Sequence, residues 1–124
     1  MDSEPKKILI VEDEKPLAKA LELKLTHAGF IISVCLNGEE ALSLIAENQY
    51  DLILLDLIMP KVNGFSVLQK IKEQNINTPV IVSSNLSQAE DINKAKDLGA
   101  LQYFVKSNTS LAQIISYITD ALNK

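Results

Sequence analysis

A single cysteine and a single histidine in 124 residues exclude two kinds of chemistry at the outset. Cys35 has no partner for an internal disulfide, and its neighbours Ile31, Ile32 and Val34 mark it as a small buried hydrophobe. No Cys/His set exists to hold zinc, and His27, near a predicted helix C-terminus, reads as a surface or structural residue rather than a phosphate relay. Long apolar runs are missing too. The longest are strand length, far short of a membrane span, and Met1 to Lys7 is polar, without the apolar stretch of a signal peptide. The expected location is cytoplasmic. Basic residues number 12 against 16 acidic, a net charge of −4, so neither direct nucleic acid binding nor a membrane surface is expected as a partner. Linkers, repeats and low-complexity tracts are absent, and the length suits one domain over residues 1–124, with no output domain in the chain.

What is present is an alternation of short β-type runs with amphipathic helical segments. Strands are predicted at Lys7 to Val11, Phe30 to Cys35, Asp51 to Asp56, Pro79 to Ser83 and Leu101 to Val105. The third contains the wholly apolar Leu52-Ile53-Leu54-Leu55, the mark of a central parallel strand covered on both faces. Pro16 opens the first helix, whose inward stripe is Leu17, Leu21, Leu25 and Ala28 and whose stop is Gly29. Asn37 and Glu40 read as N-cap and capping-box partner for the second, with Ala41, Leu42 and Ile45 inward. The turn-rich stretch from Met59 and Pro60 to Asn63 and Gly64 hands over to a helix through Phe65, Leu68 and Ile71. Ser87 and Glu90 form the start signal of the fourth helix, which buries Ile92, Ala95 and Leu98 and ends at Gly99. Leu111, Ile114, Ile115, Ile118 and Leu122 make the stripe of the last. Strand–helix pairs joined by right-handed crossovers give an α/β fold: a doubly wound five-stranded parallel sheet, order 2-1-3-4-5, flavodoxin-like.

That order puts the topological switch point between the first and third strands, so Glu12, Asp13 and Asp56 meet at one edge of the sheet. Lys106, closing the apolar run Tyr103-Phe104-Val105, reaches the same edge. Carboxylates a few ångströms apart raise one another's pKa, so a bound cation and a nearby ammonium are the natural compensation. Few hard oxygen ligands with room for water favour Mg²⁺ over a transition metal. Singly, Asp13 reads as a helix cap or solvated loop end and Lys106 as a surface amine. Their convergence is what speaks for a site.

At these residues the chain resembles, over nearly its whole length, the receiver domain of two-component response regulators. The resemblance rests on the Glu12-Asp13 pair after the first strand, the Asp56-x-x-Met59-Pro60 loop with Gly64 beyond, the hydroxyl closing strand four, Tyr103-x-x-Lys106, and the helix spacing. It implies that Asp56 accepts a phosphoryl group from phosphohistidine on a sensor histidine kinase or a histidine phosphotransfer protein. Glu12, Asp13 and Asp56 then hold Mg²⁺, directly or through water, with the backbone carbonyl of Ile58 as a further ligand. Lys106 and the Ser84 hydroxyl contact phosphoryl oxygens. Ser84 and Tyr103 form a switch that remodels the face of helix four, strand five and helix five, around Lys94, Lys96, Gln102 and Tyr103. Signal output passes to a downstream protein target or to an output domain outside this chain. Such a domain is not a turnover enzyme; it catalyses only its own phosphorylation and dephosphorylation. Ser84 is chosen over Ser83 on the family pattern, and a strand one residue shorter exchanges their roles.

Three departures from that pattern bear on access and lifetime. Asn85 replaces the usual Ala or Gly after the hydroxyl, placing a larger polar group at the pocket mouth. Ser107 replaces the proline usual after the lysine, so either the Lys106–Ser107 bond is trans and the loop differs, or the fold carries a non-proline cis bond. Ile58 and Leu86 are apolar where they flank the phosphoacceptor and the hydroxyl, which offers nothing to orient an attacking water and predicts slow self-dephosphorylation. Two rival readings are weighed against this one. A flavin-binding domain would share the fold, but its phosphate-cradling loop would not read Glu12-Asp13-Glu14. A phosphorylation-independent, receiver-like interaction module remains the alternative; its mark would be loss of Asp56, the acid pair or Lys106, and all are present.

Overall fold

The computed structural model describes residues 4–59 and 61–123, so Pro60 of the predicted loop lies outside the described residues. Five strands, β1 (Lys7–Val11), β2 (Ile31–Cys35), β3 (Leu52–Leu55), β4 (Val80–Ser84) and β5 (Gln102–Val105), form one parallel sheet in the order β2-β1-β3-β4-β5. Between and after them run α1 (Lys15–His27), α2 (Gly38–Glu47), α3 (Gly64–Glu73), α4 (Ala89–Asp97) and α5 (Leu111–Leu122). This is the predicted doubly wound architecture. The strand bounds differ from expectation by about a residue, and the difference matters at β4, which ends at Ser84 rather than Ser83.

Alternation along β3 explains why the sheet needs helices on both sides. Leu52 and Leu54 join Ile8, Ile10, Leu21, Leu25, Ile114 and Ile118 in one core layer, under α1 and α5. Ile53 and Leu55 join Leu9, Val11, Ala41, Val67, Leu68 and Ala95 in the other, under α2, α3 and α4. All four β3 residues are buried, so the strand contributes apolar area to both layers. Cys35 is fully buried, and burial pushes its thiol up to about 12, which makes it inert.

Helix ends follow local chemistry with three corrections. Pro16 lies in the first turn of α1, but Ala28 is exposed at the C-cap and Ala18 takes its expected place in the core, because the helix stops at His27. Gly29 (φ 102) and Gly99 (φ 103) terminate α1 and α4 in the left-handed region, where Phe30 N donates to Leu25 O and Ala100 N to Ala95 O. Asn37 Oδ1 accepts from Glu40 N at 2.8 Å as expected, while the Glu40 carboxylate accepts from Leu36 N rather than from the cap residue. Ser87 does not cap α4. The cap position is Gln88, whose side chain makes no capping bond.

Gly64 positions the end of β3. Its N–H donates to Leu57 O at 2.9 Å, and a Cβ there would overlap the Asp56 carbonyl oxygen and Leu57 Cα. The start of α3 can therefore press against the backbone just beyond Asp56 only with glycine at this position.

Candidate functional site

Backbone pairing carries on past β1 and β3 and thereby fixes the two acids. Glu12 N donates to Cys35 O and Asp56 N to Val11 O, each at 3.0 Å, so both residues leave the sheet in extended conformation with side chains at its carboxyl edge. Each is nearly sealed, Glu12 at 2% exposure and Asp56 at 3%. Lys106, one residue beyond β5, brings its Nζ to 3.0 Å from both Glu12 oxygens and 3.1 Å from Asp56 Oδ2. Its shortest contact, 2.6 Å, is with Glu14 Oε2.

The electrostatics of this group are unbalanced. Burial raises Glu12 from its ordinary 4.5 to about 7, the Asp56 charge adds to the rise, and the Glu14 N–H and Lys106 oppose it. Burial likewise raises Asp56, against the pull of Lys106 and of the Ile58 N–H, which donates to Asp56 Oδ1 at 3.3 Å. For Lys106 burial works against the charged form, but the hydrogen bonds it donates to Glu14 and Glu12 outweigh it and hold the ammonium above its ordinary range. One ammonium thus faces three carboxylates, and Asp13 stands beside them. Glu12, Asp13 and Asp56 each offer an oxygen within 4.8 Å of the others, a donor set of hard ligands that fits Mg²⁺.

A cleft of about 310 Å³ opens over this group. Asp13, Glu14, Asp56, Lys106 and Asn85 give it polar walls, and Ile58 and Leu86 are its apolar lip, with Ile58 57% exposed. Two larger hollows, of about 810 and 720 Å³, meet around Ile76 to Pro79 at the opposite edge of the sheet, and neither brings such a set of carboxylates to an ammonium among the described residues.

The remaining expected residues sit around the cleft rather than in it. Ser84 is fully buried and its Oγ accepts from Leu86 N at 3.2 Å. Tyr103 Oη donates to Leu86 O at 2.6 Å, and burial raises its pKa while the nearby Ser84 hydroxyl opposes that. The Leu86 backbone, by its N–H on one side and its carbonyl on the other, therefore links the two hydroxyls of the expected switch. Ser83 is also buried, and its Oγ has no hydrogen-bond partner among the described residues. The Lys106–Ser107 bond is trans, and the loop departs from strand geometry there: Lys106–Asn108 form a 3₁₀ turn. Two groups escaped the sequence reading. Glu14 was legible only as the third acid of a run. The Asn85–Ser107 bond, with Ser107 N donating to Asn85 Oδ1 at 2.9 Å, spans 22 residues and had no local signal.

A family model described as the response regulator receiver domain matches residues 8–119 of this chain. The chain belongs to that family. This receiver domain is similar to the transcriptional regulatory protein DltR of Streptococcus agalactiae, 38% identical over 100 residues, a match covering 81% of this chain and 45% of DltR. It is similar also to the response regulator ArlR of Staphylococcus aureus, 41% identical over 99 residues, covering 80% of this chain and 45% of ArlR. The matched region is thus less than half the length of those curated relatives. Among solved structures, the receiver domain of the Francisella response regulator 1452 superposes with a TM-score of 0.89 at 34% identity, covering 95% of this receiver domain and 97% of that chain. A two-component response regulator from Clostridium difficile gives a TM-score of 0.89 at 27% identity, covering 96% and 97%. No helix among the described residues is long and apolar enough to cross a membrane.

Proposed function

We propose that this receiver domain accepts a phosphoryl group from phosphohistidine onto Asp56 in a Mg²⁺-dependent reaction, and that the aspartyl phosphate alters a protein-binding face. One observation carries the reading: the Asp56 carboxylate is anchored on both oxygens, Oδ1 by the Ile58 N–H and Oδ2 by Lys106, at the floor of a cleft that joins three carboxylates to an ammonium.

In the transfer, an Asp56 oxygen forms the new P–O bond as the P–N bond to the donor imidazole breaks, and that nitrogen takes up a proton. Such a reaction asks mainly for positioning and for charge neutralisation on the phosphoryl oxygens. Mg²⁺, held by Glu12, Asp13, Asp56 and the Ile58 carbonyl, would neutralise part of that charge and offset the repulsion between the acids and the incoming group. Lys106 exchanges a carboxylate partner for a phosphoryl oxygen. The Ser84 hydroxyl, turning toward the phosphoryl group, leaves the Leu86 N–H, and the backbone of Leu86, whose carbonyl accepts from Tyr103, passes the change on. The donor would be a sensor histidine kinase or a histidine phosphotransfer protein, and the face read by the next protein would lie around Lys94, Lys96, Gln102 and Tyr103.

Borohydride reduction of the phosphorylated protein followed by peptide mapping tests the assignment, because it converts an aspartyl phosphate to homoserine. Homoserine at position 56 alone is expected; a reduced carboxylate elsewhere, or a phosphate that survives reduction on a hydroxyl, overturns it.

A further inference from the structure

The turn after β5 and the loop after β4, whose Lys106 and Asn85 both line the cleft, are joined beside it by the bond from Ser107 N–H to Asn85 Oδ1 at 2.9 Å. The residues preceding each partner are working groups. Lys106 reaches Asp56 Oδ2, and Ser84 holds the Leu86 N–H, while Asn85 and Leu86 themselves line the cleft. The bond exists because Ser107, unlike a proline, has an N–H to give, and because the trans Lys106–Ser107 peptide opens a 3₁₀ turn that carries it toward β4. The two departures at positions 85 and 107 are therefore one feature: the second supplies a donor and the first its acceptor.

We propose that Asn85 and the Ser107 N–H form a strap that gates the cleft, restricting entry of free phosphodonors to Asp56 and of water to its phosphoryl group. The inference rests on the phosphoacceptor reading above. Asn85 and Ser107 are both exposed, so the strap opens without disturbing either core layer. A net hydrogen bond of this kind favours the closed arrangement by about threefold to tenfold, and uptake from a free donor is slowed by the same factor. A docked protein donor has other contacts to offset the opening, and a small free donor has none. The strap thus selects a phosphohistidine presented by a protein over small phosphorylated molecules.

The test uses Asn85→Ala, which removes both acceptor and bulk, and Asn85→Leu, which removes the acceptor but keeps the bulk. Ser107 amide exchange is followed by NMR, together with phosphoryl uptake from acetyl phosphate with Mg²⁺ and the decay of the product. Both variants are expected to speed Ser107 exchange, uptake and decay by about threefold to tenfold. Acceleration by Ala but not Leu would mean that bulk alone sets access, and would overturn the strap. So would faster Ser107 exchange with unchanged uptake and decay, or unchanged exchange. If neither wild type nor variants take up a phosphoryl group while Ser107 exchange still rises, the phosphoacceptor reading itself fails and the gate falls with it.

Discussion

Lys106 Nζ has three N–H donors and faces four carboxylate oxygens, from Glu12, Glu14 and Asp56. Glu14 is the most exposed of the three, its side chain 56% accessible, so it can leave at little cost when another anion takes its place on the ammonium. Glu12 and Asp56 cannot, since both are sealed on the sheet edge. Two other residues make separate predictions. Ser83 Oγ is buried without a partner among the described residues, which costs free energy that an alanine would not. Ser83→Ala is expected to stabilise the protein by about 1 kcal/mol in urea unfolding; a loss of stability would contradict the unpartnered state. Ile58 and Leu86 give the cleft an apolar lip, and apolar side chains have no group with which to orient a water. Replacing them by Asn and Glu is expected to speed loss of the phosphoryl group, by about tenfold or more, and an unchanged rate would contradict the role of the lip.

The helices differ in how firmly they are fixed. α5 has a complete capping box between Ser110 and Gln113 and buries Ile114 and Ile118. α4 buries only Ala95 and has no side-chain cap; among its further ties is Lys94 Nζ, 4.5 Å over the Phe65 ring. Amide exchange is therefore expected to be faster through α4 than through α5, and equal protection would contradict that ordering. The same contrast shows what was legible in the sequence. β1 was readable to the residue, because a buried parallel strand is an uninterrupted apolar run. The sheet order and the meeting of Glu12, Asp13 and Asp56 followed from topology. The start of α4 was misread because Ser87-x-x-Glu90 is a local signal, whereas the loop before it is also held from a distance, by the Tyr103 hydroxyl donating to the Leu86 carbonyl 17 residues away. Glu14 was missed for a related reason. It occupies the N-cap of α1, where an acid normally bonds its own helix, yet its side chain makes no capping bond and goes to Lys106 instead.

Across the molecule, the sheet concentrates unfavourable charge at one edge and leaves it for ligands to relieve. Glu12 at about 7 in the folded protein, against 4.5 ordinarily, means that the folded state holds more protons than the unfolded one between those values. Stability of the metal-free protein should therefore fall as pH rises from about 4.5 through about 7, and Asp56, also raised, acts in the same direction. A loss on the order of 1–3 kcal/mol between pH 5 and pH 8 is expected from urea unfolding in the presence of a chelator, with Mg²⁺ restoring it and releasing protons on binding. A flat profile would contradict the sealed acid cluster. The central claim is that this cluster exists to take up a phosphoryl group on Asp56, and intact mass after incubation with acetyl phosphate tests it most directly, with and without Mg²⁺, for the wild type and for Asp56→Asn. A single phosphoryl adduct that requires both Mg²⁺ and Asp56 is expected. An adduct that persists in Asp56→Asn or forms without Mg²⁺, or a folded wild-type chain and Asn85→Ala variant that both stay unmodified, would contradict it.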